Sequence, residues 1–118
     1  MDRRVLLAIA MIIIIGGVFF VARSRSSSHT AKHLTFQLRI HKNTMTPNTI
    51  SATEGDTLTL RVTADRAFEL HLHGYNRALD LKPQQTSVLT FKAYLTGSFE
   101  MENEDEGHRL GTLTVNPG

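Results

Sequence analysis

Phe68-Glu69-Leu70-His71-Leu72-His73-Gly74-Tyr75 sets the reading of this 118-residue chain. Leu70 and Leu72 alternate with His71 and His73, so an extended backbone sends the leucines to one side and the imidazoles to the other. On one face of a strand, residues i and i+2 stand about 6.5–7 Å apart, close enough for both rings to reach one metal ion through bonds of about 2.0–2.1 Å. Gly74 then lets the backbone turn or bulge directly after the second imidazole. The competing reading is a polar strand face that carries two titratable rings and no ligand.

Outward from this strand the period of two recurs. Leu34, Phe36, Leu38 and Ile40 alternate with Thr35, Gln37 and Arg39, and Leu58, Leu60 and Val62 alternate with Thr57, Thr59, Arg61 and Thr63. Both patterns are those of half-buried strands. Asn43 to Asn48 reads as a loop, followed by a short strand around Ile50 and Ala52. Glu54-Gly55-Asp56, Ala64-Asp65-Arg66, Lys82-Pro83-Gln84-Gln85 and Leu95-Thr96-Gly97 supply turn chemistry. Further strands fall at Ser87 to Lys92, Ser98 to Glu102 and Leu110 to Val115. About seven short strands at turn spacings of roughly 8–12 residues, with no amphipathic helix between them, predict an all-β sandwich.

Composition narrows the chemistry. The chain has no cysteine, which excludes disulfides, thiolate zinc sites, thiol nucleophiles and a thiolate-ligated copper centre. Its net charge of +2 is unevenly placed: residues 33–118 hold eight basic and ten acidic side chains. No basic footprint for nucleic acid is present. Neither a Ser/His/Asp nucleophile set nor a Gly-rich phosphate loop can be assembled, so the chain is not expected to be an enzyme.

Val5 to Ala22 contains no charged residue over 18 positions. As a helix it would span about 27 Å, close to the ~30 Å hydrocarbon thickness of a bilayer. The run exceeds a usual signal-peptide apolar region of roughly 7–15 residues, and Phe20-Val21-Ala22 places a bulky ring where cleavage wants a small side chain. Residues 1–22 are therefore expected to be an uncleaved transmembrane anchor. Residues 23–32, with Ser26-Ser27-Ser28, have the composition of a polar linker in which His29 is solvated, and residues 33–118 form the domain. Arg3 and Arg4 on one flank face Arg23, Arg25 and Lys32 on the other, so charge does not set the orientation.

With its strands in order, the chain resembles a cupredoxin, the Greek-key sandwich of blue copper proteins. The pieces that carry the resemblance are Pro47-Asn48-Thr49-Ile50, Glu54-Gly55-Asp56-Thr57-Leu58-Thr59-Leu60, His71-Leu72-His73-Gly74-Tyr75, Gly97-Ser98-Phe99 and Leu110-Gly111-Thr112-Leu113-Thr114-Val115. It is most similar to exported cupredoxin-like proteins that carry His-x-His-Gly-Tyr and lack the ligating cysteine. The resemblance implies a Greek-key β-sandwich, here behind the one N-terminal transmembrane helix expected from the uncharged run, and it implies that the domain lies on the periplasmic side of the cytoplasmic membrane. It also implies that the positions of the cysteine, histidine and methionine ligands fall near Met101, Glu104 and Arg109, so that all three are altered. Without a thiolate no blue type 1 centre can form.

What remains as a candidate set is His71 and His73, with His108, Met101, Glu104 and, beside them, Glu102 in the region before the last strand. Imidazoles suit Cu(II) or Zn(II), and a thioether suits Cu(I). Gly107 frees the backbone before His108, and the resembling proteins tend to carry a histidine there. Met101 has the alternative role of filling core space, and the run Glu100 to Glu106 that of a solvated acidic edge. The expected function is a membrane-tethered domain that holds copper, with zinc as the other candidate, and exchanges it with a donor or acceptor protein. The alternative is a metal-free interaction module on the same fold. A cupin-type metalloenzyme ranks last, because Arg77 and Ala78 stand where its glutamate would follow the His-x-His pair.

Overall fold

A computed structural model describes residues 28–118. The expected anchor over 1–22 and the first half of the expected linker lie outside the described residues. Nine strands follow in order: β1 (His33–His41), β2 (Thr44–Thr46), β3 (Thr49–Thr53), β4 (Thr57–Ala64), β5 (Phe68–Leu72), β6 (Arg77–Leu81), β7 (Thr86–Lys92), β8 (Gly97–Asn103) and β9 (His108–Asn116). They make a four-stranded sheet, β2-β1-β4-β7, and a five-stranded sheet, β3-β9-β8-β5-β6. β1 lies parallel to β4 and β3 parallel to β9, while the remaining pairs are antiparallel.

The alternation read from the sequence sets which side chains face inward. Leu58, Leu60, Val62 and Ala64 of β4 are buried, as are Phe68, Leu70 and Leu72 of β5 and Leu113 and Val115 of β9. Each such large side chain contributes about 1.5–3 kcal/mol of burial free energy. Leu34, Phe36 and Phe99 are half-buried and pack against the margin of this core.

Two strands exceed the seven that the sequence pattern suggests. β2 lies inside the stretch expected as a loop, with three residues and one buried side chain, Met45, too short to show a period. β6 is an edge strand in which only Leu81 is fully buried, so its alternation is weak. It forms because the turn after His73 folds Arg77 back opposite Leu72 and puts Ala78 beside His71.

The strand registers define two poles. At one, the β3–β4 turn meets the β7–β8 loop, with the Gly55 amide donating to the Ala93 carbonyl at 2.8 Å. At the other, the β4–β5 turn meets the β8–β9 hairpin, where the Arg66 guanidinium pairs with Glu106 at 3.0 Å. The chain enters the domain at the first pole. There Asp56, buried to 2% exposure, accepts hydrogen bonds from His29 Nε2 at 2.7 Å, the Lys32 amide at 2.8 Å and the Thr53 amide at 3.0 Å. The Thr57 amide donates to the Lys32 carbonyl at 2.9 Å. His29 is thus a docked residue and not a solvated one, and the end of the polar segment belongs to the folded unit.

Candidate metal centre

The outer face of the five-stranded sheet carries the histidines. Leu70 and Leu72 point into the core, and His71 stands opposite Glu102 of β8 on one side and Ala78 of β6 on the other. His73 lies one residue past β5, yet its amide still donates to the Glu100 carbonyl at 2.9 Å. Extended pairing therefore continues through His73, and both imidazoles emerge on the same face. Their ring centroids are 4.6 Å apart with planes at 83°. No bulge is needed to re-aim His73. The irregularity in this sheet falls between β8 and β9 at Met101/Glu102.

Gly74 serves the site by another route. Its φ is +81°, a left-handed value at which a Cβ is unfavourable, and a Cβ there would overlap the Phe99 ring. Phe99 stacks edge-on to buried Tyr75 at 4.8 Å. Burial raises the Tyr75 phenol above its usual range, so its hydroxyl stays protonated and donates to the Leu95 carbonyl at 2.7 Å. The Gly-Tyr pair therefore anchors the turn that follows the two histidines.

Glu104 is brought over His71 by the start of the β8–β9 hairpin, because its amide donates to the Glu69 carbonyl at 2.9 Å. Glu104 Oε2 lies 3.7 Å from His71 Nδ1. Among the described residues, His71, His73 and Glu104 form one group whose ligand atoms all lie within 4.8 Å of one another. His71 Nε2 is 3.3 Å from the Asn76 side-chain oxygen, and His73 Nε2 is 3.0 Å from Glu102 Oε2. Both oxygens accept only, so each Nε2 carries the proton and the neutral ring leaves Nδ1 as the lone-pair nitrogen. His71 Nδ1 is buried and has no hydrogen-bond partner.

The other two expected ligands are placed elsewhere. Met101 is wholly buried. It stands opposite Leu72 on the inner face of β8, so the sheet itself separates its sulfur from the imidazoles. His108 begins β9 on the far side of the hairpin, with Nε2 3.2 Å from the Asn43 carbonyl. Its surroundings are the Asn43–Arg66–Glu106 cluster, in which the Asn43 amide first and then Arg66 hold the Glu106 carboxyl below its usual range. Asn76 is the partner that reading the chain did not select, while Glu102, grouped there with the candidate ligands, is the partner of His73 Nε2. Alternation puts Glu102 on the outward face of its strand. Asn76 sits at φ +50°, a conformation asparagine tolerates better than most residues. What each touches depends on pairing across the sheet.

A protein-family model described as a cupredoxin-like domain matches residues 10–115. The chain belongs to the cupredoxin-like family. Solved structures agree on the fold. Auracyanin A, a blue copper protein from the green thermophilic photosynthetic bacterium Chloroflexus aurantiacus, superposes with a TM-score of 0.56 at 15% identity, covering 71% of this chain and 99% of its own. A chain of a heme-copper terminal oxidase dimer gives 0.57 at 13% identity, covering 95% and 96%. A blue copper oxidase from Nitrosomonas europaea gives 0.53 at 20% identity, and this chain spans 39% of that enzyme's length. No curated protein matches this chain. This cupredoxin-like domain has no cysteine, and its Met101 sulfur is enclosed in the core, so its residues do not fit a type 1 copper site. The two imidazoles and one carboxylate do fit a borderline divalent ion.

Proposed function

We propose that this cupredoxin-like chain is a membrane-tethered domain that binds a metal ion, copper(II) before zinc, through His71, His73 and Glu104. The observation that carries the reading is His71 Nδ1: a buried nitrogen with no partner, set within one ligand group with His73 and Glu104. A buried polar atom left without a partner costs about 1–3 kcal/mol, and a bound cation would remove that cost. Glu102 and Asn76, hydrogen-bonded to the outer ring nitrogens, would orient the imidazoles and raise their basicity, as carboxylate and amide groups behind metal-bound histidines do. Nitrogen and oxygen donors place copper(II) above zinc in intrinsic affinity. With three protein donors on a half-exposed sheet face, coordination positions stay open to solvent or to a partner's ligand. That arrangement suits holding and passing on the ion, with no chemistry of its own on a substrate. The donor or acceptor protein would meet it on the outer sheet face. The tether is the uncharged run from Val5 to Ala22. The extracytoplasmic side is adopted because the exported cupredoxin-like proteins it resembles lie there.

Titration of the purified protein with Cu(II) and Zn(II), followed by EPR, tests the reading. The expected result is one equivalent of copper bound with nitrogen/oxygen EPR parameters and weak visible absorption. An intense band near ~600 nm would contradict the ligand set, since that band requires a thiolate. If the wild type binds no tighter than a His71→Ala/His73→Ala variant, the face is structural and the metal-free interaction module takes its place.

A further inference from the structure

We propose that the pole at which the chain enters the domain is a bilayer-contact surface, with Tyr94 and Leu95 as its anchors on an anionic phospholipid membrane. The proposal rests on the membrane-anchor reading above and adds an orientation to it.

Among the described residues, three large apolar side chains are exposed: Val88 at 48%, Tyr94 at 60% and Leu95 at 36%. Two of these are consecutive and lie in the β7–β8 loop. They directly follow Ala93, whose amide donates to the Asp56 carbonyl and whose carbonyl accepts from the Gly55 amide, both at 2.8 Å. The Asp56 carboxylate in turn holds His29 and Lys32. The exposed pair and the entry of the chain are thus fastened to the same turn, one on each side of Asp56.

The length of chain outside the structure sets how far this pole can be from the membrane. Five residues, 23–27, separate Ala22, where the apolar run ends, from Ser28. Even fully extended they reach no more than about 20 Å. The Asp56 clasp removes the slack that residues 29–32 would otherwise add. The pole nearest the bilayer is the one carrying Tyr94 and Leu95.

Its chemistry fits that position. Tyr94 offers an apolar ring with a polar tip, the combination enriched where hydrocarbon meets headgroups. The loop is held by Tyr75, whose hydroxyl donates to the Leu95 carbonyl and accepts from the Leu95 amide at 3.1 Å, with Tyr94 edge-on to Tyr75 at 5.3 Å. An anchor already ordered loses little entropy on contact. Lys32 and Lys92 are exposed at the same pole, and Arg23 and Arg25 precede it, with exposed Glu54 and the buried Asp56 carboxylate as opposing charges. This surplus of positive charge favours anionic lipid. Glu104 lies toward the opposite pole, whereas His73 precedes the turn whose Tyr75 holds the docking loop.

Because the chain contains no cysteine, single-cysteine labels report one position each. Full-length protein carrying Leu95→Cys, Tyr94→Cys, Val88→Cys or Asp105→Cys would be labelled with an environment-sensitive fluorophore in phosphatidylcholine–phosphatidylglycerol nanodiscs. Quenching by lipid-borne nitroxide would then be measured at each position. Labels at 94 and 95 are expected to be quenched roughly threefold more than those at 88 and 105, as interfacial side chains are by shallow lipid probes. Equal quenching at all four positions, in discs that keep the protein through an alkaline carbonate wash, overturns the docking and leaves the anchor standing. Protein lost from the discs in that wash overturns the anchor and the docking together, while leaving metal titration as a separate question.

Discussion

At the entry pole His29 meets Asp56, and on the outer sheet face His71 and His73 meet Glu102 and Glu104. The two regions use the same residue types to different ends. Asp56 is buried, and its two oxygens accept three hydrogen bonds, two of them from backbone amides. The His29 hydrogen bond, then those from Thr53 and Lys32, hold its carboxyl at about 2. Such a carboxylate has little capacity left for a cation and acts as a clasp. On the sheet face the carboxylates are partly exposed, Glu104 reaches His71 only at 3.7 Å, and His71 Nδ1 is left without a partner. A histidine beside a carboxylate is therefore not a site in itself; the vacant lone pair distinguishes the two regions.

Exchanging the damage between the two regions should produce the largest effect. His71→Ala is expected to weaken copper(II) binding more than 100-fold, beyond the roughly 10–100-fold typical of groups behind the ligands, while leaving the melting temperature nearly unmoved. Asp56→Ala should do the reverse, lowering the melting temperature by several degrees at unchanged copper affinity, because it strands two backbone amides and His29. Calorimetric titration and thermal melts of both variants check this, with His108→Ala and His41→Ala as controls expected to stay within about twofold in affinity. Loss of melting temperature in His71→Ala comparable to that in Asp56→Ala would erase the contrast.

A second experiment sharpens it from within the sheet face. Glu102→Gln keeps an acceptor for His73 Nε2 but removes the charge, and should cost about tenfold in copper affinity, the lower end of such effects. If affinity is unchanged, the Glu102 carboxylate is a surface partner of His73 and takes no part in tuning it.

The smallest expected effect separates the two regions by pH. The folded Asp56 carboxyl lies at about 2, below the ~3.9 of an unfolded chain. Its contribution to stability is therefore fully present above pH ~3.9 and is lost as pH falls through about 2. Melts of the wild type should show a decline over that window, and Asp56→Asn should flatten it. A wild-type curve that is level from pH 4 to pH 2, or parallel in the variant, would show that the clasp does not depend on the charge.

How much of this was legible in the chain differs by region. The alternation of Leu58, Leu60 and Val62, and of Leu70 and Leu72 against His71 and His73, specifies the sandwich and the face on which the imidazoles emerge, because period two leaves a strand only one way to bury its leucines. The absence of cysteine by itself ruled out a type 1 copper centre. β2 and β6 were not legible, since a three-residue strand and an exposed edge strand are formed by pairing and carry little pattern of their own. Nor were the roles of His108 and His29, while for Met101 the chain offered core filling and ligation side by side and the fold selects the first. Met101 and Glu102 are neighbours in sequence, but the pleat sends one sulfur into the core and one carboxylate to His73. His108 and Glu104 flank the same hairpin, yet its two strands carry them to different neighbours. His29 sits in a stretch of linker composition and is docked only because the fold buries Asp56 beside it. Residue types and local period are properties of the chain; which side chains meet is decided by register across the sheet and by closure of the turns.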